Sequence, residues 1–173
     1  MHAPLDVIVV RKLGVPGHPE VAMGAIGEGV TVVDRDLIAR LRVSEEQFAA
    51  VEAAELANVQ ARLTRLTSHR PGIDLDGRDV VIVDDGMATG STMAAACRVA
   101  RRLNAAHVYA AAPVGAQSAM DRIDAADRVF CLLVPEDFDA VGRYYRDFDQ
   151  TSDEEVERIL DDSRSRAGHR PTV

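Results

Sequence analysis

The stretch "RDVVIVDDGMATGSTM", residues 78–93, decides how this chain is read. An apolar, β-branched run ends abruptly in Asp84 and Asp85. A loop of small residues follows and leads into a helix-forming segment. The run has the pattern of a buried strand. A loop that opens a helix presents backbone N–H groups without intrahelical partners, and the helix dipole adds partial positive charge. Such a turn is an anion site. Thr89, Gly90, Ser91 and Thr92 offer those N–H groups and three hydroxyls, and Gly90 lets the backbone approach a guest closely. Phosphate is the natural guest. The two carboxylates repel phosphate, yet they accept charge-assisted hydrogen bonds from neutral hydroxyls. The combination suits a sugar phosphate, with vicinal hydroxyls on Asp84 and Asp85 and the phosphate in the loop. The acid pair can also face a cation carried by the ligand.

Competing motifs fit less well. A nucleoside-triphosphate loop requires Gly-Lys-Ser/Thr, and no lysine stands here. The G-x-G-x-x-G fingerprint of a dinucleotide fold does not follow the strand. A phospho-accepting receiver domain keeps acids at strand ends but has no need of T-G-S-T. A bare strand-to-helix turn with Ser91 as its cap explains neither acid.

Outward from this run, strand and helix patterns alternate. "LDVIVV" (5–10) and "VTVV" (30–33) read as strands. The Gly-rich "RKLGVPGHPEVAMGAIGEG" between them reads as a long loop or irregular ribbon. Ser44 with Gln47 forms a capping box that opens a helix to about Thr67. A helix over 91–103, a strand "HVYAAAPV" (107–114), a short helix over 118–126 and a strand "VFCLLV" (129–134) follow. The segment 136–149 is a long aromatic-bearing loop, and 152–163 is a last helix. Apolar strands alternating with helices predict an α/β fold: a parallel sheet with helices on both faces, binding ligands at the carboxyl ends of its strands.

The chain has 173 residues, 47% hydrophobic and 28% charged, and a formal charge of −8. One domain is expected, at 1–163, with a loose tail at 164–173. The acidic balance argues against a nucleic-acid partner. No apolar run is long enough to span a membrane, and the N-terminus lacks signal-peptide features, so a cytoplasmic location is expected. Cys97 and Cys131 sit in apolar contexts and read as buried thiols. The five histidines make no metal-ligand spacing.

"VVIVDDGMATGST" closely resembles the phosphoribosyl-pyrophosphate (PRPP) motif of type I phosphoribosyltransferases. The whole chain resembles an uncharacterised bacterial branch of that family, through runs such as "RKLGVPGHPE" and "VGRYYRDFDQ". The resemblance implies that Asp84 and Asp85 hold the ribose hydroxyls and that Ala88, Thr89, Gly90, Ser91 and Thr92 hold the 5′-phosphate. It also implies a catalytic loop with basic residues, here Arg11 and Lys12. Mg²⁺ is the implied cofactor, carried by PRPP and touching Asp84 or Asp85. In 6-oxopurine members an aspartate occupies the fifth motif position; here it is Ala88, which points to another nitrogen acceptor. Phe138, Tyr144, Tyr145 and Phe148 are candidates for a hood over a flat acceptor ring.

The resemblance further implies a helix, a first strand and a pyrophosphate loop ahead of "LDVIVV". An N-terminally truncated domain is therefore expected. Its open sheet edge would be closed by direct pairing of the flanking strands or covered by a second copy in a homodimer. Two functions follow: a Mg²⁺-dependent phosphoribosyltransferase, or a non-catalytic regulator that senses PRPP or a nucleotide on the same fold.

Overall fold

The computed structural model describes residues 3–67 and 72–168. Two three-stranded sheets organise it. The first is antiparallel, with β1 (Arg11–Val15), β2 (His18–Gly27) and β3 (Val30–Val33) in that order. The Gly-rich segment is therefore an irregular ribbon, with register shifts either side of Gly14. The "VTVV" strand stands where the pattern puts it.

The run "LDVIVV" does not form a strand. Residues 5–10 precede β1 without ladder partners among the described residues, although Val9 is buried and Ile8 packs against the core. A β-branched apolar run favours extended backbone, but a strand exists only as one side of a pair.

After β3 comes a short helix that sequence patterning missed, α1 (Arg35–Leu41). Its signal was Asp34, whose Oδ1 accepts the Leu37 N–H at 2.9 Å as an N-cap. The long helix α2 (Glu45–Thr67) opens on the expected capping box: the Ser44 N–H donates to Gln47 Oε1 at 3.0 Å, and the Gln47 N–H to Ser44 Oγ at 3.2 Å. Its apolar stripe, from Phe48 through Val59 to Leu66, covers one face of the hairpin together with Leu13, Met23 and Ile26.

The second sheet is parallel, ordered β4 (Asp79–Val83), β5 (His107–Val114) and β6 (Arg128–Leu133). Helix α3 (Ser91–Arg102) crosses from β4 to β5, and the short α4 (Gln117–Met120) lies between β5 and β6. The expected helix over 118–126 is thus shorter and starts one residue earlier. α3 contacts both sheets, and Met93 to Cys97, Val99 and Ala100 are all buried. Its run of alanines permits close approach on both sides, which makes α3 the shared core of the molecule. Ion pairs tie its far end to the β5–β6 crossover. Arg98 grips Asp124 with two bonds, at 3.2 and 2.8 Å, and Arg101 pairs with Asp127 at 2.7 Å.

The α/β reading holds, but burial of these strands on both faces does not. Val80, Ile82, Val108 and Ala110 point into the core with α3. On the opposite face Val81, Val83, Phe130 and Leu132 are 62, 71, 50 and 89% exposed. Nor do "LDVIVV" and β4 close up to pair: β4 is an edge strand among the described residues. A last helix, α5 (Asp153–Gly168), packs on α2 through Val156 and through Arg62 and Arg65 paired with Asp153, Glu154 and Glu157. It extends past the expected end at 163. Residues 169–173 of the expected tail lie outside the described residues.

Cys97 is fully buried, and burial pushes its thiol up to about 11, with Asp124 adding to the shift and Arg101 opposing it. A thiol reagent at neutral pH is expected to titrate Cys131 alone in the native protein and Cys97 only after denaturant. Prompt reaction of both would contradict this packing.

Candidate functional site

β4 ends at Val83, but its pairing runs one residue further: the Asp84 N–H donates to the Ala111 carbonyl at 3.1 Å. The chain then turns at Gly86. Met87 anchors the turn. Its N–H donates to Val114 O, its carbonyl accepts from the Ala116 N–H, both at 2.9 Å, and its side chain is buried. The sequence pattern assigned Met87 no role. The only signal was an apolar residue alone in a polar loop. Because Met87 is pinned to the end of β5, Ala88 and Thr89 are held out in solvent at the carboxyl end of the sheet.

Asp84 is half-buried and Asp85 exposed. The Asp85 N–H donates to Asp84 Oδ1 at 3.0 Å. Both carboxyls sit above the ordinary aspartate range. Burial is the main cause for each, and the neighbouring charge of Asp85 adds to it at Asp84. Backbone N–H bonds, from Asp85 to Asp84 and from Gly86 to Asp85, pull the other way without cancelling it. Two carboxylates short of compensation are ready to accept hydroxyl donors or to face a cation.

The adjoining cradle is built at the start of α3. Gly90, at φ +77°, is its N-cap and provides no side-chain cap. The Ser91 N–H makes only a long bond to Thr89 Oγ1, at 3.5 Å, so the first turn of α3 still offers N–H groups to a guest, with the dipole behind them. Thr89 and Ser91 cluster their hydroxyls, Oγ1 to Oγ at 3.3 Å, and Thr92 is exposed beside them. The structure thus brings Asp84, Asp85, Ala88, Thr89, Gly90, Ser91 and Thr92 into one short turn.

The 136–149 segment folds back over this turn. The Tyr145 hydroxyl donates to the Asp85 carbonyl at 2.7 Å. Phe138 and Tyr144 stack on each other, centroids 5.9 Å apart and nearly parallel at 8°, and Phe148 tilts against Tyr145 at 5.2 Å. Of the hood candidates, Tyr145 touches the acid loop directly.

Arg11 and Lys12 are placed differently from the expected catalytic loop. They lie inside β1, and Arg11 Nε bonds Glu55 Oε2 on α2 at 3.0 Å. Leu13 faces α2 as well, so the pleat puts the exposed Lys12 on the other side of the ribbon. The partner of Arg11 is Glu55, and neither carboxyl of the acid pair bonds to it among the described residues. Among the described residues no group of three or more His, Cys, Asp or Glu could cage a metal, and no helix is long and apolar enough to cross a membrane.

A phosphoribosyl transferase domain model matches residues 7–149. A Mycobacterium tuberculosis protein provisionally named a phosphoribosyl transferase is 49% identical over 163 residues, covering 93% of this chain and 37% of its own length. The chain thus spans little more than a third of the length of this relative. The crystal structure of TT1426 from Thermus thermophilus is 42% identical with a TM-score of 0.70, covering 91% of this chain and 75% of that one. A 40-residue segment is 60% identical to adenine phosphoribosyltransferase of Mycobacterium avium, over 23% of this chain and 22% of that protein.

Proposed function

Because the chain belongs to the phosphoribosyl transferase domain family, we propose that its site binds PRPP and transfers the phosphoribosyl group to a nitrogen acceptor. The observation that carries this reading is the uncapped start of α3 set directly beside two carboxylates that burial holds above their ordinary range. Phosphate alone would not call for the acids, and hydroxyls alone would not call for the cradle.

In this reading the N–H groups and hydroxyls of Ala88 to Thr92 hold the 5′-phosphate, and Asp84 and Asp85 accept the ribose hydroxyls. The bond from C1 to the pyrophosphate oxygen breaks, and its electron pair leaves with pyrophosphate. Positive charge develops at C1 and the ring oxygen. The acceptor nitrogen forms the new bond to C1, and its proton passes to the released pyrophosphate. The protein orients the two partners and stabilises charge, and no nucleophilic side chain is needed.

Mg²⁺ fits this donor set. Two carboxylates short of positive charge suit an ion that keeps its waters and shares its ligands with substrate phosphates, and the described residues build no protein-only cage. Such an ion, held by Asp84 or Asp85, would neutralise the departing pyrophosphate. Ala88 at the fifth motif position, together with the segment shared with an adenine enzyme, supports an acceptor other than a 6-oxopurine. Phe138, Tyr144 and Tyr145 are the proposed hood.

Arg11 held by Glu55 favours a second reading, a PRPP- or nucleotide-sensing protein without turnover. Calorimetry tests the shared claim: PRPP with Mg²⁺ is expected to give saturable heat. A folded sample silent toward PRPP, ribose 5-phosphate and nucleoside monophosphates would overturn both readings. Pyrophosphate release then separates the enzyme from the sensor.

A further inference from the structure

We infer that Tyr145 and Val141 latch residues 136–149 onto the acid loop and position Asp85, so that this strap sets selectivity for the sugar over bare phosphate; the inference rests on the sugar-phosphate reading of the site.

Two independent contacts make the latch. The Tyr145 hydroxyl donates to the Asp85 carbonyl at 2.7 Å across 60 residues of sequence. One residue on, Val141 fills the space over Gly86: a Cβ built at Gly86 would lie 2.6 Å from both Val141 methyls. One contact is polar and the other apolar, and together they grip both ends of a single peptide unit. The Asp85 N–H is already spent on Asp84 Oδ1. With its carbonyl held by Tyr145, Asp85 has both backbone groups fixed, and its carboxylate starts from a fixed point.

The strap is stiffened where it grips. Val141–Tyr144 is a turn of 3₁₀ helix, Arg143 pairs with Asp139 at 2.6 Å, and Phe148 leans on both Tyr145 and Gly142. Burial and the charges of Asp85 and Asp84 push the Tyr145 phenol up, which keeps it a donor.

The phosphate cradle has separate supports. Met87 bonds to the end of β5, and Gly90 lies against α4. Loosening Asp85 should therefore cost the sugar contacts and spare the phosphate contacts. This separates a positioning role from general packing, which would weaken both.

Tyr145→Phe removes only the hydroxyl. Its affinity for ribose 5-phosphate is expected to fall roughly fivefold, about the worth of one hydrogen bond, while its affinity for inorganic phosphate stays at the wild-type value. The chain has no tryptophan and three tyrosines, so ultraviolet difference spectra report this contact with little background. Ribose 5-phosphate should perturb tyrosine absorbance in the wild type and much less in the variant. Val141→Ala, which keeps the hydroxyl, should shift the same ratio in the same direction. Wild-type protein that binds neither ligand would defeat the sugar-phosphate reading itself. Wild-type protein that binds both, with an unchanged ratio in the two folded variants, would overturn the latch alone.

Discussion

Replacing Asp84 with asparagine should make the ligand-free protein melt at a higher temperature at pH 7 and, in the same variant, weaken PRPP binding. The sign follows from the direction of the shift. Burial holds the Asp84 carboxyl above its ordinary 3.8, and the charge of Asp85 adds to this. The folded state then binds more protons than the unfolded state over the interval just above 3.8. The favourable contribution is complete below 3.8 and is lost as pH rises through the raised folded value. At pH 7 the ionised group therefore opposes folding. An amide keeps the shape and an acceptor oxygen for the Asp85 N–H, but carries no charge to desolvate.

The melting advantage of the variant should shrink as pH falls through the raised folded value and be gone below 3.8, where the wild-type carboxyl is protonated in both states. Asp85→Asn should act in the same direction but more weakly, since Asp85 is exposed. The loss in PRPP affinity should be roughly 1–3 kcal/mol, the difference between a charged and a neutral acceptor for a hydroxyl. Inorganic phosphate should bind as well as before or better, because a repelling charge is gone. A variant that kept PRPP but lost phosphate would reverse the assignment. A melting difference between variant and wild type that is the same at pH 7 and below pH 3.8 would deny that the acids are held under strain for a ligand.

That strain marks where the sequence could be read and where it could not. The cradle was legible because everything it needs is local: an apolar run, two acids and T-G-S-T lie within sixteen residues, and strand-to-helix geometry does the rest. The Ser44–Gln47 box was legible for the same reason. "LDVIVV" misled because its pattern reports only a preference for extended backbone, whereas a strand is settled by a partner. The ribbon that follows hid its pairing behind glycines. Val81 and Leu132 read as core because β-branched and aliphatic runs look alike whether one face or two is covered. Arg11 and Tyr145 were beyond reach for another reason. Their partners, Glu55 and the Asp85 carbonyl, lie 44 and 60 residues away, and no periodicity reports a contact at that range.

Gly90→Ala should be among the most damaging single substitutions in the site, and two separate costs make it so. The first is conformational. Gly90 sits at φ +77°, where an L side chain crowds its own carbonyl at a cost of roughly 1–2 kcal/mol. The second is steric. A Cβ at this position would lie 2.4 Å from the Ala119 carbonyl oxygen and 3.1 Å from its carbon. Those atoms are backbone, and Ala119 is itself fully buried, so no rotamer change relieves the clash. Either α3 or α4 must move. α3 resists, since it is the core shared by both sheets and its far end is tied by Arg98 and Arg101. Overpacking of this kind adds about 1–3 kcal/mol, so the total is on the order of 2–5 kcal/mol, a large share of the stability of an ordinary domain. Any shift of α3 also carries the first-turn N–H groups with it, and the anion site should fail together with the fold around it. Melting curves with and without inorganic phosphate measure both effects at once. The variant should melt far lower and lose the phosphate-induced rise. Gly90→Asn separates the two costs, because asparagine tolerates positive φ but still carries the Cβ. An asparagine variant as damaged as the alanine one assigns the effect to contact with Ala119, and that is the expected result. A Gly90→Ala protein melting within about 2 °C of wild type, with its phosphate response intact, would mean that α3 does not begin where the cradle requires it to.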